Sequence, residues 1–195
     1  MKRLVVGMSG ATGSIYGVRL LEVLRACPDV ETHLILSDYA KVNIEAESDY
    51  VVSSVLEMAD FVYAFRDVGA RLASGSFVTD GMVVAPCSIK SMAMIANSIC
   101  ENLLVRAADV TIKERRKLVL MVRETPLHLG HLRLMAHLSE LGAVILPPMP
   151  AFYNRPKTID DIVNQLVGKV LDQFGIEHDL FIRWRGLNEQ PSRTP

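Results

Sequence analysis

Short apolar runs alternate with longer amphipathic stretches along most of the chain. Five runs predict buried strands, over residues 4–7, 33–36, 81–85, 118–122 and 143–146. They are almost continuously apolar rather than alternating, as is typical of parallel strands covered on both faces. The stretches between them predict helices over residues 14–26, 39–48, 88–98, 102–112, 128–141 and 158–174. This alternation predicts an α/β fold built on a doubly wound parallel sheet.

Length and composition narrow the class of protein. A chain of 195 residues suits a single domain, here predicted as residues 1–186 with a polar C-terminal tail over 187–195. Half of the residues are hydrophobic and 22% are charged, which excludes a disordered chain. The net charge of −1 predicts no nucleic-acid partner and no attraction to an anionic membrane. No apolar run approaches the ~18 residues that span a bilayer, so we expect a soluble protein.

Cysteines and histidines give no metal signature. Cys27, Cys87 and Cys100 are scattered and form no CxxC pair, which favours a reducing, cytoplasmic setting. His128 and His131 have a spacing that occurs in metal sites, but leucine and methionine surround them where further ligands would be needed. We therefore expect surface or capping histidines and no metal.

The connections that follow the predicted strands carry the candidate chemistry, because ligands of such folds bind beyond the carboxyl ends of the strands. A glycine-rich turn over 9–14 follows the first strand, and Ser37 follows the second. The segments 86–91 and 123–126 follow the next two. Two of these turns lead into helix N-termini, which favour phosphate or another anion. Ordinary helix capping by serine or threonine is the alternative interpretation of both turns.

Three further features have competing interpretations. Cys87, at a helix N-terminus, could be a nucleophile, but no base has a sequence relation to it. The basic stretch from Arg106 to Lys117 is typical of a solvated helix face, whereas Arg123 and Glu124 fall where a strand ends. The segment 182–186 contains the only tryptophan, Trp184, which either anchors the chain end, covers a flat ligand or contacts a neighbouring subunit.

Several segments together resemble the flavin prenyltransferase family of the UbiX type, long described as aromatic-acid decarboxylases. The resemblance covers residues 1 to about 186. The matching segments are Gly7-Met8-Ser9-Gly10-Ala11-Thr12-Gly13, Ser37 and Glu47, Ala73-Ser74-Gly75-Ser76-Phe77, Pro86-Cys87-Ser88, Arg106-Ala107-Ala108-Asp109 to Lys113-Glu114-Arg115-Arg116, Arg123-Glu124-Thr125-Pro126-Leu127 and Pro147-Pro148-Met149-Pro150-Ala151-Phe152-Tyr153.

The resemblance implies a Rossmann-like flavoprotein that is a prenyltransferase rather than a decarboxylase. Such enzymes join a dimethylallyl group from dimethylallyl phosphate to N5 and C6 of reduced FMN. The product, prenylated FMN, serves a UbiD-type decarboxylase in ubiquinone synthesis or aromatic-acid breakdown. Members of the family need no metal and assemble as homo-oligomers, namely dodecamers, with sites shared between subunits.

The resemblance also implies roles for individual residues. The FMN contacts that it implies are Gly10, Ala11, Thr12, Ser37, Ser88, Ile89, Lys90, Ser91 and Arg123. The catalytic set that holds dimethylallyl phosphate comprises Lys113, Glu124, Tyr153 and Lys169. Glu124 is expected to protonate or steer the departing phosphate. Arg106 and Glu47 are implied as supporting groups, and Trp184 as the aromatic that covers the prenyl pocket.

Two positions depart from the family pattern, and other functions compete with prenyl transfer. Thr12 replaces serine, and Lys169 stands where arginine is expected, so a planar bidentate contact is lost. One alternative is a flavin-dependent decarboxylase of the cysteine-peptide type, which needs a histidine base near the flavin. A second is a non-enzymatic FMN-binding module. A third, an NAD-binding enzyme, is disfavoured by the missing GxGxxG motif, although Asp38 follows Ser37.

Overall fold

A computed structural model describes residues 1–184 and Gly186. Its residues group into two compact units, of which the first is Met1–Pro148 and the second begins at Met149. The predicted tail over 187–195, and Arg185 in the tryptophan-containing segment, lie outside the described residues. The prediction of one domain over 1–186 stays a prediction.

The first unit contains a parallel sheet, with six strands among the described residues. The strands are β1 (Lys2–Met8), β2 (Val30–Leu36), β3 (Phe61–Tyr63), β4 (Gly81–Cys87), β5 (Lys117–Val122) and β6 (Val144–Ile145). Their order across the sheet is β3-β2-β1-β4-β5-β6, and every neighbouring pair is parallel. This is the strand order of the doubly wound Rossmann fold. The α/β, Rossmann-like fold class is therefore confirmed.

Helices connect the strands in the order that the sequence predicts. Those of the first unit are α1 (Ser14–Arg25), α2 (Asp38–Glu47), α3 (Val52–Leu56), α4 (Ile89–Ala96), α5 (Leu103–Lys113) and α6 (Leu129–Glu140). A 3₁₀ turn over Arg71–Ala73 follows β3. The sequence pattern missed α3 and β3, since five and three residues are too few to show a period.

The core of the first unit lies on both faces of the sheet, which explains the continuous apolar strands. All seven residues of β4 are buried, because β1 and β5 flank it and helices cover it. Strand β2 begins three residues earlier than predicted. Its polar residue Glu31 accepts hydrogen bonds from Arg3 Nε and His33 Nε2, each at 2.9 Å, so polar groups extend the strand.

The second unit contains α7 (Ile159–Phe174), the longest helix described. Its N-terminus carries a capping box, in which Thr158 Oγ1 accepts from Asp161 N–H while the Asp161 carboxylate accepts from Thr158 N–H. Gly175, in the left-handed conformation, ends the helix. No helix among residues 1–184 is long and apolar enough to cross a membrane.

Candidate active site

Strands β1 and β4 are neighbours at the point where the strand order reverses, and their carboxyl ends lie at one edge of the sheet. A buried hydroxyl joins the two loops that leave this edge. Ser9 Oγ donates to Pro86 O at 2.9 Å and accepts from Ser88 N–H at 2.7 Å. Because Ser9 is only 2% exposed, water cannot replace these contacts. The two loops are therefore held in a fixed relation.

A cavity of about 570 Å³ opens at this edge, within the size range of small-molecule and cofactor sites. Serine hydroxyls, two cations and two apolar side chains contribute to its wall. Its lining residues are Gly10, Ser37, Asp38, Tyr39, Phe65, Arg66, Ser88, Lys90, Ser91, Met94, Glu101 and Asn102. A Cβ at Gly10 would lie 2.5 Å from Cβ of Tyr39, so this wall requires glycine there.

The N-terminus of α4 meets the cavity with hydroxyl groups. Ser88 is the N-cap residue, and its Oγ accepts from Ser91 N–H at 3.2 Å and lies 3.1 Å from Ser91 Oγ. The first turn of α4 contains no acidic residue, and Lys90 lies within it. A helix offers no acceptor of its own to first-turn N–H groups, which favours an anion here. A phosphate at this N-terminus, predicted from the sequence, stays a prediction.

The N-terminus of α1 already has an anion, which the chain itself provides. Glu47 Oε2 accepts from Gly13 N–H at 2.8 Å and from Ser14 N–H at 3.2 Å. Burial tends to raise the pKa of Glu47, but hydrogen bonds from Thr12, Gly13 and Ser14 outweigh it and lower that pKa. The glycine-rich turn therefore has no unpaired N–H at Gly13 or Ser14 to offer a phosphate.

The remaining residues of this turn differ in their surroundings. Gly10 lines the cavity, while the carbonyl of Ala11 accepts from Asn43 Nδ2 at 3.0 Å. The Thr12 hydroxyl bonds to Glu47, so the methyl group that distinguishes it from serine costs no hydrogen bond. The FMN contacts predicted for these three residues stay predictions.

Ser37 and Ile89 also lie at the carboxyl edge of the sheet. Ser37 is the buried N-cap of α2, accepts from Ala40 N–H at 3.1 Å and lines the cavity. Ile89 is the first residue of α4 and is partly buried, between the cavity-lining Ser88 and Lys90.

Arg123 and Glu124 follow β5 at the same edge of the sheet. Arg123 N–H donates to Cys87 O at 3.0 Å, which fixes the start of this loop beside β4. Burial raises the pKa of Tyr16, and the charge of Arg123 partly opposes that effect. Glu124 is exposed, and its Oε1 accepts from Thr125 N–H at 3.0 Å. One chain thus presents a cation and a carboxylate side by side.

Cys87 is inert as a nucleophile. It is fully buried, and burial raises the pKa of its thiol to about 12, so the thiolate is not formed near neutral pH. Burial therefore disfavours Cys87 as a nucleophile, the role that its position in the sequence raised.

Lys113 and Arg106 have other partners within the chain. Lys113 ends α5, next to the start of β5, whereas Glu124 follows the end of β5. A strand of six residues spans about 20 Å, so one chain holds the two groups at opposite edges of the sheet. Lys113 pairs with Glu114, and Arg106 donates to Ala73 O and pairs with Asp109. Their predicted roles in one site would require two copies of the chain.

The other predicted substrate residues lie in the second unit. Tyr153 and Trp184 pack edge to face, with ring centroids 5.8 Å apart. Lys169 Nζ lies 4.0 Å from Asp172 Oδ2 and 5.7 Å from the centre of the Phe181 ring. Tyr153 and Trp184 are thus brought together, as a shared role demands.

His128 has a structural role. It caps α6, with Nδ1 accepting from Gly130 N–H and His131 N–H. Its ring lies against that of His131, with centroids 3.5 Å apart and planes tilted by 32°. Over residues 1–184, no group of three or more histidine, cysteine or acidic side chains is arranged to hold a metal ion.

Three of the cavity residues that the sequence interpretation missed are Tyr39, Arg66 and Asn102. Tyr39 lines the cavity from the first turn of α2 and Arg66 from the loop after β3, while Asn102 caps α5. The signal that could have found Arg66 is its position just after β3, but that strand was itself missed.

Comparisons with known proteins agree with this geometry. The Flavoprotein family model matches residues 1–171. Flavin prenyltransferase UbiX of Thauera aromatica is 61% identical over 188 residues, 96% of either chain. The crystal structure of AnUbiX (PadA1) in complex with FMN and dimethylallyl pyrophosphate has a TM-score of 0.93 and 48% identity, covering 95% of this chain and 98% of that one. A dodecameric FMN-dependent UbiX-like decarboxylase from Escherichia coli O157:H7 has a TM-score of 0.93 and 53% identity, covering 94% of this chain and all of that one.

Proposed function

The chain belongs to the flavin prenyltransferases of the Flavoprotein family, and we propose that it transfers the dimethylallyl group of dimethylallyl phosphate to reduced FMN. The allylic C–O bond breaks, N5 loses its hydrogen as the N–C bond forms, and inorganic phosphate leaves with one proton. The C=C bond of the dimethylallyl group then takes up a proton at one carbon and bonds to C6 at the other, and C6 releases its hydrogen. The product is prenylated FMN, heavier than reduced FMN by C₅H₈. Both FMN and the allylic phosphate are substrates in this reaction.

The observation that carries this function is the cavity at the carboxyl edge of the sheet in a chain 61% identical to a flavin prenyltransferase. Its chemistry fits a flavin mononucleotide. Ser88 and Ser91 offer hydroxyl groups and Lys90 offers positive charge to one phosphate, while Phe65 and Met94 offer apolar surface to a ring. Ser37 adds a hydroxyl from the neighbouring strand end.

Phosphate departure requires neutralisation of charge that develops on the leaving oxygen. Glu124, which is exposed and directly follows Arg123, is the residue that we expect to deliver a proton to that oxygen. Lys113, Lys169 and Tyr153 add charge and hydrogen bonds, and each charged contact contributes about 2–4 kcal/mol to the transition state. Trp184 covers the prenyl group and keeps water from the allylic cation.

The positions of Lys113 and Glu124 in one chain support a homo-oligomer. Lys113 and Glu124 occupy opposite edges of the sheet in one chain, so a site that uses both draws on two subunits. We propose a homo-oligomer, a dodecamer, with Arg106 and Glu47 as supporting groups near such boundaries. The E. coli relative described as dodecameric supports this assembly. A UbiD-type decarboxylase receives the product, and the free thiols of Cys27, Cys87 and Cys100 support a cytoplasmic setting.

Anaerobic incubation with reduced FMN and dimethylallyl phosphate, followed by mass spectrometry, tests the function. The wild type should yield a flavin heavier by C₅H₈, and unchanged FMN would contradict the proposal. Glu124→Gln should bind FMN with wild-type affinity but form product 10²–10⁴-fold more slowly, roughly the range for loss of a general acid.

Glu140→Gln provides the matched control for this variant. Glu140 is an exposed carboxylate at the C-terminal end of α6. Its replacement should leave the rate unchanged. Loss of FMN binding in Glu124→Gln would place that residue in the flavin site instead.

A further inference from the structure

Three basic side chains surround one carboxylate in the second unit. Asp172, near the end of α7, accepts from Arg183 Nη2 at 2.7 Å and Nη1 at 3.0 Å, a bidentate pair. His178 Nε2 lies 3.3 Å from Asp172 Oδ1, and Lys169 Nζ lies 4.0 Å from Oδ2. Bidentate geometry fixes orientation as well as distance. The segment after α7 is therefore fastened back onto the helix.

The segment after α7 packs against the helix at a glycine, Gly168. A Cβ at Gly168 would lie 2.5 Å from Phe181 Cε1 and 2.6 Å from His178 Cε1. Contacts this short are not tolerated between carbon atoms, so any side chain here displaces both rings. The His178 side chain is 2% exposed, and its Nδ1 accepts from Leu180 N–H at 3.3 Å. Its Nε2 faces both Asp172 Oδ1, at 3.3 Å, and Arg183 Nη2, at 3.2 Å.

The Phe181 ring connects the carboxylate to the predicted substrate residues. Lys169 Nζ lies 5.7 Å and the Arg183 guanidinium 5.3 Å from its centre, both within range of a cation–π contact. Arg183 directly precedes Trp184, which packs on Tyr153. A shift of Arg183 therefore moves Trp184.

We propose that Asp172 is a positioning residue for the dimethylallyl pocket. It holds Arg183 so that Trp184 stays against Tyr153, and because the guanidinium takes both carboxylate oxygens, the Lys169 ammonium is left to contact the substrate phosphate. This inference rests on the proposed function. Arg183 takes both carboxylate oxygens at hydrogen-bond distance, while Lys169 remains at the 4.0 Å margin. The Arg183 bond also lowers the pKa of Asp172 further than burial raises it, so the carboxylate stays ionised.

Trp184 is the only tryptophan, so its fluorescence reports this arrangement without any turnover. Asp172→Asn should shift the emission to longer wavelength and increase quenching by acrylamide. The KM for dimethylallyl phosphate should rise about tenfold, while the FMN dissociation constant and the thermal midpoint stay close to wild type. Asp179→Asn, which removes an exposed carboxylate of the same segment, is the control and should change none of these.

Two further variants separate positioning from a general loss of structure. The exchange Asp172→Arg with Arg183→Asp should restore the pair, and with it the wild-type emission and KM. Gly168→Ala should reproduce the emission shift and the raised KM although alanine favours the helix. Wild-type emission and KM in Asp172→Asn, or an emission shift with unchanged KM, would overturn the proposal. If wild-type protein forms no prenylated FMN, the proposed function fails, while the fluorescence still tests whether Asp172 holds Trp184.

Discussion

The N-termini of α1 and α4 lie at the same edge of the sheet and follow adjacent parallel strands. A carboxylate of the chain itself binds at the N-terminus of α1, whereas none from residues 1–184 binds at that of α4. At α1, the Glu47 carboxylate occupies the N–H groups of Gly13 and Ser14. At α4, Ser88 and Ser91 present hydroxyl groups to an open cavity. Two turns that look alike in sequence thus end as a filled anion site and an available one.

The difference favours the N-terminus of α4, rather than that of α1, as the position for the phosphate of a ligand. In dinucleotide-binding members of this fold, the pyrophosphate sits at the N-terminus of the first helix. Here a carboxylate from α2 holds that position and would repel a pyrophosphate. The charge pattern agrees with a ligand that carries one terminal phosphate and places it at α4. The NAD-binding alternative is disfavoured for this physical reason as well as by the missing motif.

The largest effect is expected on FMN affinity, from placing a carboxylate in the first turn of α4. Ser91→Asp places a carboxylate where the phosphate is expected, so FMN affinity should fall about 100-fold, equivalent to ~2.7 kcal/mol. Riboflavin, which lacks the phosphate, should bind as it does to wild type, as measured by quenching of flavin fluorescence. Ser76→Asp, at an exposed position, is the control. An equal loss for riboflavin would mean that the substitution distorts the cavity.

The next largest effect is expected on the free energy of unfolding, from removing the hydroxyl that joins the loops after β1 and β4. Ser9→Ala leaves the buried Ser88 N–H without its acceptor, which should lower the free energy of unfolding by about 1–3 kcal/mol. The Pro86 carbonyl loses the hydroxyl but still accepts from Ser9 N–H at 3.1 Å. Urea denaturation measures this change, with Ser76→Ala as the exposed control. Unchanged stability would show that the loops are held by other contacts.

The smallest effect is expected on the free energy of unfolding, from removing the negative charge of Glu47 at the N-terminus of α1. Glu47→Gln keeps an acceptor but loses the interaction of a negative charge with the helix N-terminus, about 0.5 kcal/mol of unfolding free energy. Since the folded-state pKa of Glu47 is lowered, this contribution is fully present above the unfolded value of about 4.3 and is lost as pH falls through the folded pKa. The two unfolding free energies, measured against pH, should therefore differ at neutral pH and converge in acid. A difference independent of pH would contradict the assignment.

The long strands and helices were predictable because each buries a continuous apolar surface with a clear period. Strand β4 and helix α7 begin at the predicted residues, within one position. Strand β3 was not predictable, since its three residues include the largely exposed Phe61 and Val62. Missing β3 also hid Arg66, because the search for site residues followed the ends of recognised strands.

The candidate site was predictable in its parts but not in its pairings. Ser37, Ser88 and Ser91 follow strand ends, so their approach to one cavity follows from a parallel sheet. That Glu47 reaches the turn before α1 could not be deduced, because a contact across more than thirty residues depends on how α2 packs. Likewise, nothing in the spacing of Asp172 and Arg183 indicates a bidentate pair.

The two outermost strands of the sheet, β3 and β6, are very short, with three and two residues. An edge this short exposes too few backbone N–H and C=O groups to template another strand. Strand-to-strand growth, the usual route from an open sheet to fibres, is therefore blocked at both sides. A homo-oligomer of the kind proposed above would therefore have to be joined through side chains on helices and loops rather than by pairing of strands.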